Sequence, residues 1–206
     1  SITDKESLLV KTGYDCLDAF AGGLTKGEIT IIGGRPGHGK TTFMINLLSR
    51  MIHSGLRIAF FSRELPNSEL LKKLLTLESG KLSYGMVRKG IFEQSDLQEL
   101  ERIKDKIKGW YSKEKFVMFD HIRDFSTTAS EIRKFKPDVV FDDYLQLIQP
   151  HGKFDQRRLQ LEQLVNDYKW AAKENKCAVV LASQLNRAIE SRPDPIPQLS
   201  DLAESG

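Results

Sequence analysis

Residues Gly34 to Thr41 read GRPGHGKT and satisfy every fixed position of the phosphate-binding pattern G-x-x-x-x-G-K-[ST]. Glycine lacks a Cβ, so Gly34, Gly37 and Gly39 allow the backbone to close on a phosphate. The loop comprises Gly34, Arg35, Pro36, Gly37, His38, Gly39 and Lys40, and leads into Thr41 and Thr42. It is expected to line a concave anion site, extended by the positive end of the following helix. Lys40 is expected to reach the β- and γ-phosphates of a nucleoside triphosphate, and the Thr41 hydroxyl to bind its Mg²⁺.

This chemistry requires a strand before the loop and a helix after it. Glu28–Gly33 is a short β-branched run that reads as a buried strand, and Thr42–Ile52 is an apolar helical segment. A glycine-rich turn that binds nothing would not need that order.

Four further strands read as Arg57–Ser62, Phe116–Asp120, Val139–Asp142 and Cys177–Ser183. Helices are expected from Pro66 to about Ser79 with Leu70, Leu71, Leu74, Leu75 and Leu77 inward, and from about Arg157 to Asn175. Another starts at Ser95-Asp-Leu-Gln98, read as a capping box, and buries Leu97, Leu100, Ile103 and Ile107. Thr128-x-x-Glu131 caps a short one that Pro137 ends. Thr12–Phe20 has a short helical look, and Lys81–Gln94 reads as a connecting stretch that could hold a helical turn. Strands alternating with helices predict an α/β fold with a mainly parallel sheet flanked by helices on both faces.

Such sheets place ligands at the carboxyl ends of their strands. There the fourth strand delivers Asp142-Asp143, a carboxylate beside the phosphate loop that suits hydrated Mg²⁺. The second is followed by Arg63-Glu64; Glu64 could orient and deprotonate an attacking water, or simply pair with Arg63. The fifth ends in Ser183-Gln184, and a neutral amide can sense a γ-phosphate through a hydrogen bond.

The bulk properties set wide bounds. A chain of 206 residues, 40% hydrophobic and 29% charged, suits one globular domain with a full core. A net charge of +3 is compatible with nucleic acid without requiring it. Cys16 and Cys177 form no C-x-x-C pair, and His38, His53, His121 and His151 lack metal-ligand spacing. No apolar run approaches a membrane span and no signal peptide is visible, so a cytoplasmic location is expected, with no membrane partner.

In chain order, TGYDCLDAFAGGL, GRPGHGKTTF, FFSRELP, VVFDDYLQLI, LASQLNRAIE and SDLAESG together resemble the DnaB-like replicative DNA helicases. The resemblance spans nearly the whole chain. It implies a RecA-like P-loop NTPase core over residues 1–206, with ATP and Mg²⁺ as cofactors. Single-stranded DNA, a homo-hexameric ring, and primase and other replisome proteins are the implied partners. Position by position, Lys40 and Thr41 match the phosphate and Mg²⁺ residues, and Glu64 the catalytic glutamate. Asp143, before Tyr-Leu-Gln-Leu, matches the metal-side aspartate. Asp142 falls where the family usually has an apolar residue and is the second choice for metal. Gln184 matches the glutamine that couples nucleotide state to DNA-facing loops, and completes a catalytic set with Glu64 and Lys40.

The resemblance also assigns Arg187 and the stretch containing Glu204, Ser205 and Gly206 to the DNA-facing side. Ala203 stands where a basic residue is common, so a backbone-mediated grip on phosphates is expected there. The family continues with further strands and an arginine finger, and carries an N-terminal domain. This chain therefore reads as a core fragment with weak activity in isolation. Two alternatives share the nucleotide site: a helicase loader or regulatory module that does not unwind, and a filament-forming recombinase.

Overall fold

A computed structural model of the chain describes residues 8–149, 157–192, 194, 196 and 201. Strands β3 (Ile29–Gly34), β4 (Ile58–Ser62), β5 (Phe116–Phe119), β6 (Val139–Asp143) and β7 (Ala178–Gln184) form a five-stranded sheet in the order β3-β7-β6-β4-β5. Every neighbouring pair in it is parallel. Two short strands, β1 (Leu9–Val10) and β2 (Leu24–Thr25), pair antiparallel beside it. They are too short to carry a readable alternation, so the sequence shows no sign of them.

The helices are α1 (Asp15–Ala21), α2 (Lys40–His53), α3 (Asn67–Ser79), α4 (Tyr84–Lys89), α5 (Gln94–Ser112), α6 (Phe125–Phe135) and α7 (Arg157–Asn175). Alternation along the strands divides the core between the two sheet faces. Ile58, Phe60, Val139, Phe141 and Val180 pack with Met44, Leu48 and Met51 of α2, Leu70 and Leu74 of α3 and Ile103 of α5. Ala59, Phe61, Val140, Val179 and Leu181 pack on the opposite side with Ile132 of α6 and Leu161, Leu164 and Tyr168 of α7. Burying each large aliphatic or aromatic side chain contributes roughly 1.5–3 kcal/mol.

Five sequence expectations shift. Helix α2 starts at Lys40, not Thr42, because Gly39 takes a left-handed conformation (φ 82°) and hands the helix its first residue directly. The capping box of α5 is Glu93 with Asp96, two residues earlier than expected. Leu97 is 41% exposed. At helical spacing it points roughly 90° away from the mean direction of Leu100, Ile103 and Ile107, which do face the core. Leu77 is likewise exposed, on the wall of a shallow groove with Thr42, Lys73 and Tyr84 near the end of α3.

Thr128 is not the cap of α6. Asp124 is, its carboxylate accepting the Thr127 N–H at 2.8 Å. Asp caps better than Thr because its charge also complements the helix dipole. The Thr127 amide, with the Ser126 and Thr127 hydroxyls, holds the Asp124 carboxyl down at about 2. Asp124→Ala is expected to cost about 1 kcal/mol in denaturant unfolding at neutral pH. A depressed pKa confers stability above the unfolded value near 3.8 that fades as pH falls towards about 2, so the difference should narrow over that window.

Candidate functional site

The sheet order sets the carboxyl ends of β3, β7, β6 and β4 side by side, and their sequences deliver the phosphate loop, Gln184, Asp143 and Glu64 in that order. Beyond the fifth strand, β5, the Asp120 carboxylate instead accepts the Asn67 N–H at 2.7 Å and ties down the start of α3.

Within the loop, Gly37 (φ 77°) and Gly39 (φ 82°) occupy conformations that disfavour other residues. Gly34 is crowded instead: a Cβ there would lie 3.2 Å from Lys40 Cγ and push on the lysine side chain. The Lys40 ammonium donates to the carbonyls of Gly34 (2.9 Å) and Arg35 (3.2 Å). Burial lowers its pKa; the Arg35 charge acts in the same direction, while Asp143 and Glu64 oppose it.

The Thr41 hydroxyl donates to Asp143 Oδ2 at 2.5 Å, joining the start of α2 to the end of β6. Asp143 is almost fully buried, and burial pushes its carboxyl up to about 6. The Thr41 bond and the Lys40 charge oppose that rise, while the carboxylates of Glu64 and Asp142 add to it. The Asp143–Tyr144 peptide is cis.

Asp142, the second choice for metal, is taken by another task. Its carboxylate forms a two-point ion pair with Arg63, at 2.9 Å and 2.5 Å, on the opposite sheet face. The same pairing decides the fate of Glu64: Arg63 is committed elsewhere, so Glu64 does not pair with it.

Two cavities flank the loop. One of about 470 Å³ is walled by Pro36, Gly37, Gly39, Lys40, Thr41, Thr42, Glu64 and Gln184 together with Lys73 and Tyr144. The other, about 440 Å³, takes Gly34, Arg35 and His38, shares Gly39 and Lys40, and adds the apolar Phe43, Leu185 and Ile189. The Arg35 side chain turns from the first cavity to bond Glu190 Oε1 (2.6 Å) and the Leu185 carbonyl (2.8 Å).

Gln184 is held by Gln146. The Gln184 N–H donates to Gln146 Oε1 (3.2 Å), and Gln146 Nε2 donates to the Gln184 carbonyl (3.1 Å) and to Ser183 Oγ (2.9 Å). Arg187 begins a short 3-10 turn, Arg187–Ser191, and is exposed outside both cavity walls. Glu204, Ser205, Gly206 and Ala203 lie outside the described residues.

Sequence reading missed Lys73, Tyr144 and Gln146. Two adjacent cations on the helix just after Glu64 were the available sign of the first. Lys72 pairs with Glu69 at 2.7 Å, while the Lys73 ammonium lies 4.6 Å from the centre of the Tyr84 ring, at the cavity edge.

The Thr41 hydroxyl, on the cavity wall, and the buried Asp143 carboxylate bonded to it are a donor pair that could hold Mg²⁺, which takes few protein ligands and keeps several waters. Among the described residues no group of three or more His, Cys, Asp or Glu side chains could enclose a metal. Among them, too, no helix is long and apolar enough to cross a membrane.

Comparison with known proteins agrees with this geometry. The chain is 30% identical over 200 residues to a probable plasmid replicative DNA helicase of Chlamydia psittaci, covering 95% of this chain and 43% of that protein. It is 31% identical over 206 residues to the replicative DNA helicase DnaB of Synechocystis, covering 96% of this chain and 23% of that protein. The chain thus spans less than half the length of these relatives.

Among solved structures, a DnaB-like replicative helicase studied for its interactions with primase superposes with a TM-score of 0.84 at 30% identity, over 96% of this chain and 48% of that one. A second solved structure, of an ATPase domain, does so with a TM-score of 0.84 at 29% identity, over 94% of this chain and 69% of that one. These neighbours agree with the RecA-like α/β fold expected from the sequence. The family description "DnaB-like helicase C terminal domain" matches residues 10–206, and the chain belongs to that family.

Proposed function

We propose that residues 1–206 form one RecA-like ATPase domain of a replicative DNA helicase. It binds ATP with Mg²⁺ and hydrolyses it to drive translocation on single-stranded DNA and duplex unwinding within a homo-hexameric ring. Primase is a proposed partner, by likeness to the DnaB-like helicase described with it. The observation that carries this reading is the 2.5 Å bond to Asp143 from Thr41, which lines the same cavity as Lys40, Glu64 and Gln184.

In this reading the loop amides and the open start of α2 receive the phosphates, and Lys40 exchanges its carbonyl partners for β- and γ-phosphate oxygens. Thr41 and Asp143 would hold Mg²⁺, which would offset charge on the phosphates. Glu64 orients the attacking water and accepts its proton. Gln184 bonds the γ-phosphate, and the loss of that phosphate is felt along β7 and the turn after it, which carries Arg187 towards DNA.

The test is ATP hydrolysis by the complete protein with and without single-stranded DNA. Hydrolysis that rises with single-stranded DNA is expected. Hydrolysis indifferent to it would refute translocation, and absent hydrolysis would refute the whole reading.

A further inference from the structure

Hydrolysis in the proposed site requires Glu64, two residues past the end of β4, and Asp143, the last residue of β6, to keep a fixed relation. Asp143 has one short bond, to Thr41, and Glu64 is exposed. The firm grip is on the residue before each of them. Arg63 precedes Glu64 and Asp142 precedes Asp143; their side chains are 1% and 0% exposed.

All three guanidinium nitrogens of Arg63 donate. Nε and Nη2 reach the two Asp142 oxygens, Nη1 reaches the Ile122 carbonyl at 2.7 Å, and Nη2 also reaches Thr128 Oγ1 at 2.9 Å. The Tyr168 hydroxyl donates to Asp142. The cluster thus ties β4 and β6 to the loop after β5, to α6 and to α7. The backbone adds one link, the Arg63 N–H to the Asp143 carbonyl at 2.7 Å.

A buried ion pair adds little stability over an apolar pair of the same size. What a two-point guanidinium–carboxylate contact does supply is orientation, because both planar groups are fixed in angle as well as distance. Along β6 successive residues face opposite ways, so locking Asp142 on the α6–α7 side turns Asp143 to the other. Arg63 lies just past the end of β4, and its anchored side chain together with its N–H bond to Asp143 fixes where the bend carrying Glu64 leaves the sheet.

We propose that Arg63, Asp142 and Tyr168 form a positioning cluster that holds Glu64 and Asp143 in catalytic register across β4 and β6. It rests on the functional reading above. None of the three touches the nucleotide; they act through the residues that follow Arg63 and Asp142.

The test compares the complete wild-type protein with Tyr168→Phe and with the apolar double variant Arg63→Met/Asp142→Leu, measuring kcat, KM for ATP and thermal unfolding. The double variant should melt near the wild-type temperature and keep KM within about threefold, but lose about tenfold or more in kcat, because small misplacement of reacting groups costs that much. Tyr168→Phe should lose about two- to fivefold in kcat with KM unchanged, since one hydroxyl that fixes Asp142 is gone. A folded double variant with wild-type kcat would overturn the proposal and leave the ATPase reading intact. If the double variant does not fold, unchanged kcat in Tyr168→Phe overturns it instead. A wild-type protein that does not hydrolyse ATP removes both.

Discussion

Glu64→Gln is expected to lower the rate of ATP hydrolysis by about two to four orders of magnitude while leaving ATP binding near wild-type strength. Glutamine keeps the length of the side chain and its hydrogen bond to water but cannot accept a proton. Three features support so selective an effect. Glu64 lines the cavity that Lys40 and Thr41 share. Its neighbour Arg63, the cation that could have neutralised it, is committed to Asp142 behind the sheet. The groups assigned to the phosphates, Lys40 and the loop amides, are untouched by the change. Phosphate release at saturating ATP, set beside equilibrium ATP binding, measures both halves. A variant that hydrolyses at the wild-type rate would remove Glu64 from the mechanism.

The adjacent carboxylates Asp142 and Asp143 should fail in opposite ways. Asp142→Ala leaves the Arg63 guanidinium buried without its counter-ion and is expected to cost about 3–5 kcal/mol in unfolding free energy. Asp143→Asn should do the reverse. Burial raises the Asp143 pKa from 3.8 to about 6. A raised carboxyl pKa means full stability below the unfolded value and a loss as pH climbs through about 6, so the ionised residue destabilises the fold at pH 7 by about 3 kcal/mol. Asparagine has no such cost.

Asp143→Asn should therefore be at least as stable as wild type at neutral pH, with the gap closing below pH 4. Its defect should lie in the metal: apparent Mg²⁺ affinity in the presence of ATP falls about 10–100-fold. In wild type the same affinity should decline as pH drops below about 6, because protons compete for the carboxylate, and that dependence should vanish in the asparagine variant. Denaturant titrations and Mg²⁺-dependence curves across pH measure these differences. Equal destabilisation by both substitutions would contradict the opposite roles assigned to them.

The contrast also marks how far the sequence could be read. The glycine loop, its flanking strand and helix, and the carboxylates at strand ends were legible because local pattern determines them. Strands of a parallel α/β sheet present ligands at their carboxyl ends, so Glu64, Asp143 and Gln184 could be placed at or just past strand ends from sequence. That these ends are neighbours follows from the strand order β3-β7-β6-β4. Side-chain partnerships across the sheet were not legible. Whether Arg63 pairs with Glu64 next to it or with Asp142 seventy-nine residues on depends on β4 lying beside β6 and on alternation turning Arg63 and Asp142 to the same face. Lys73 and Tyr144 reach the cavity only because α3 and the β6 terminus converge there. Helix starts were misread where competing caps stood within a few residues, Asp124 before Thr128 and Glu93 before Ser95.

The most direct test is calorimetric titration of ATP into the Glu64→Gln protein, which is expected to hold nucleotide without consuming it, with and without Mg²⁺, and again with Asp143→Asn added. One ATP per chain is expected, bound more tightly with Mg²⁺ and losing that enhancement when Asp143 is replaced. ATP binding that ignores Mg²⁺, or an enhancement that survives Asp143→Asn, would contradict a single site built from Lys40, Thr41, Glu64 and Asp143.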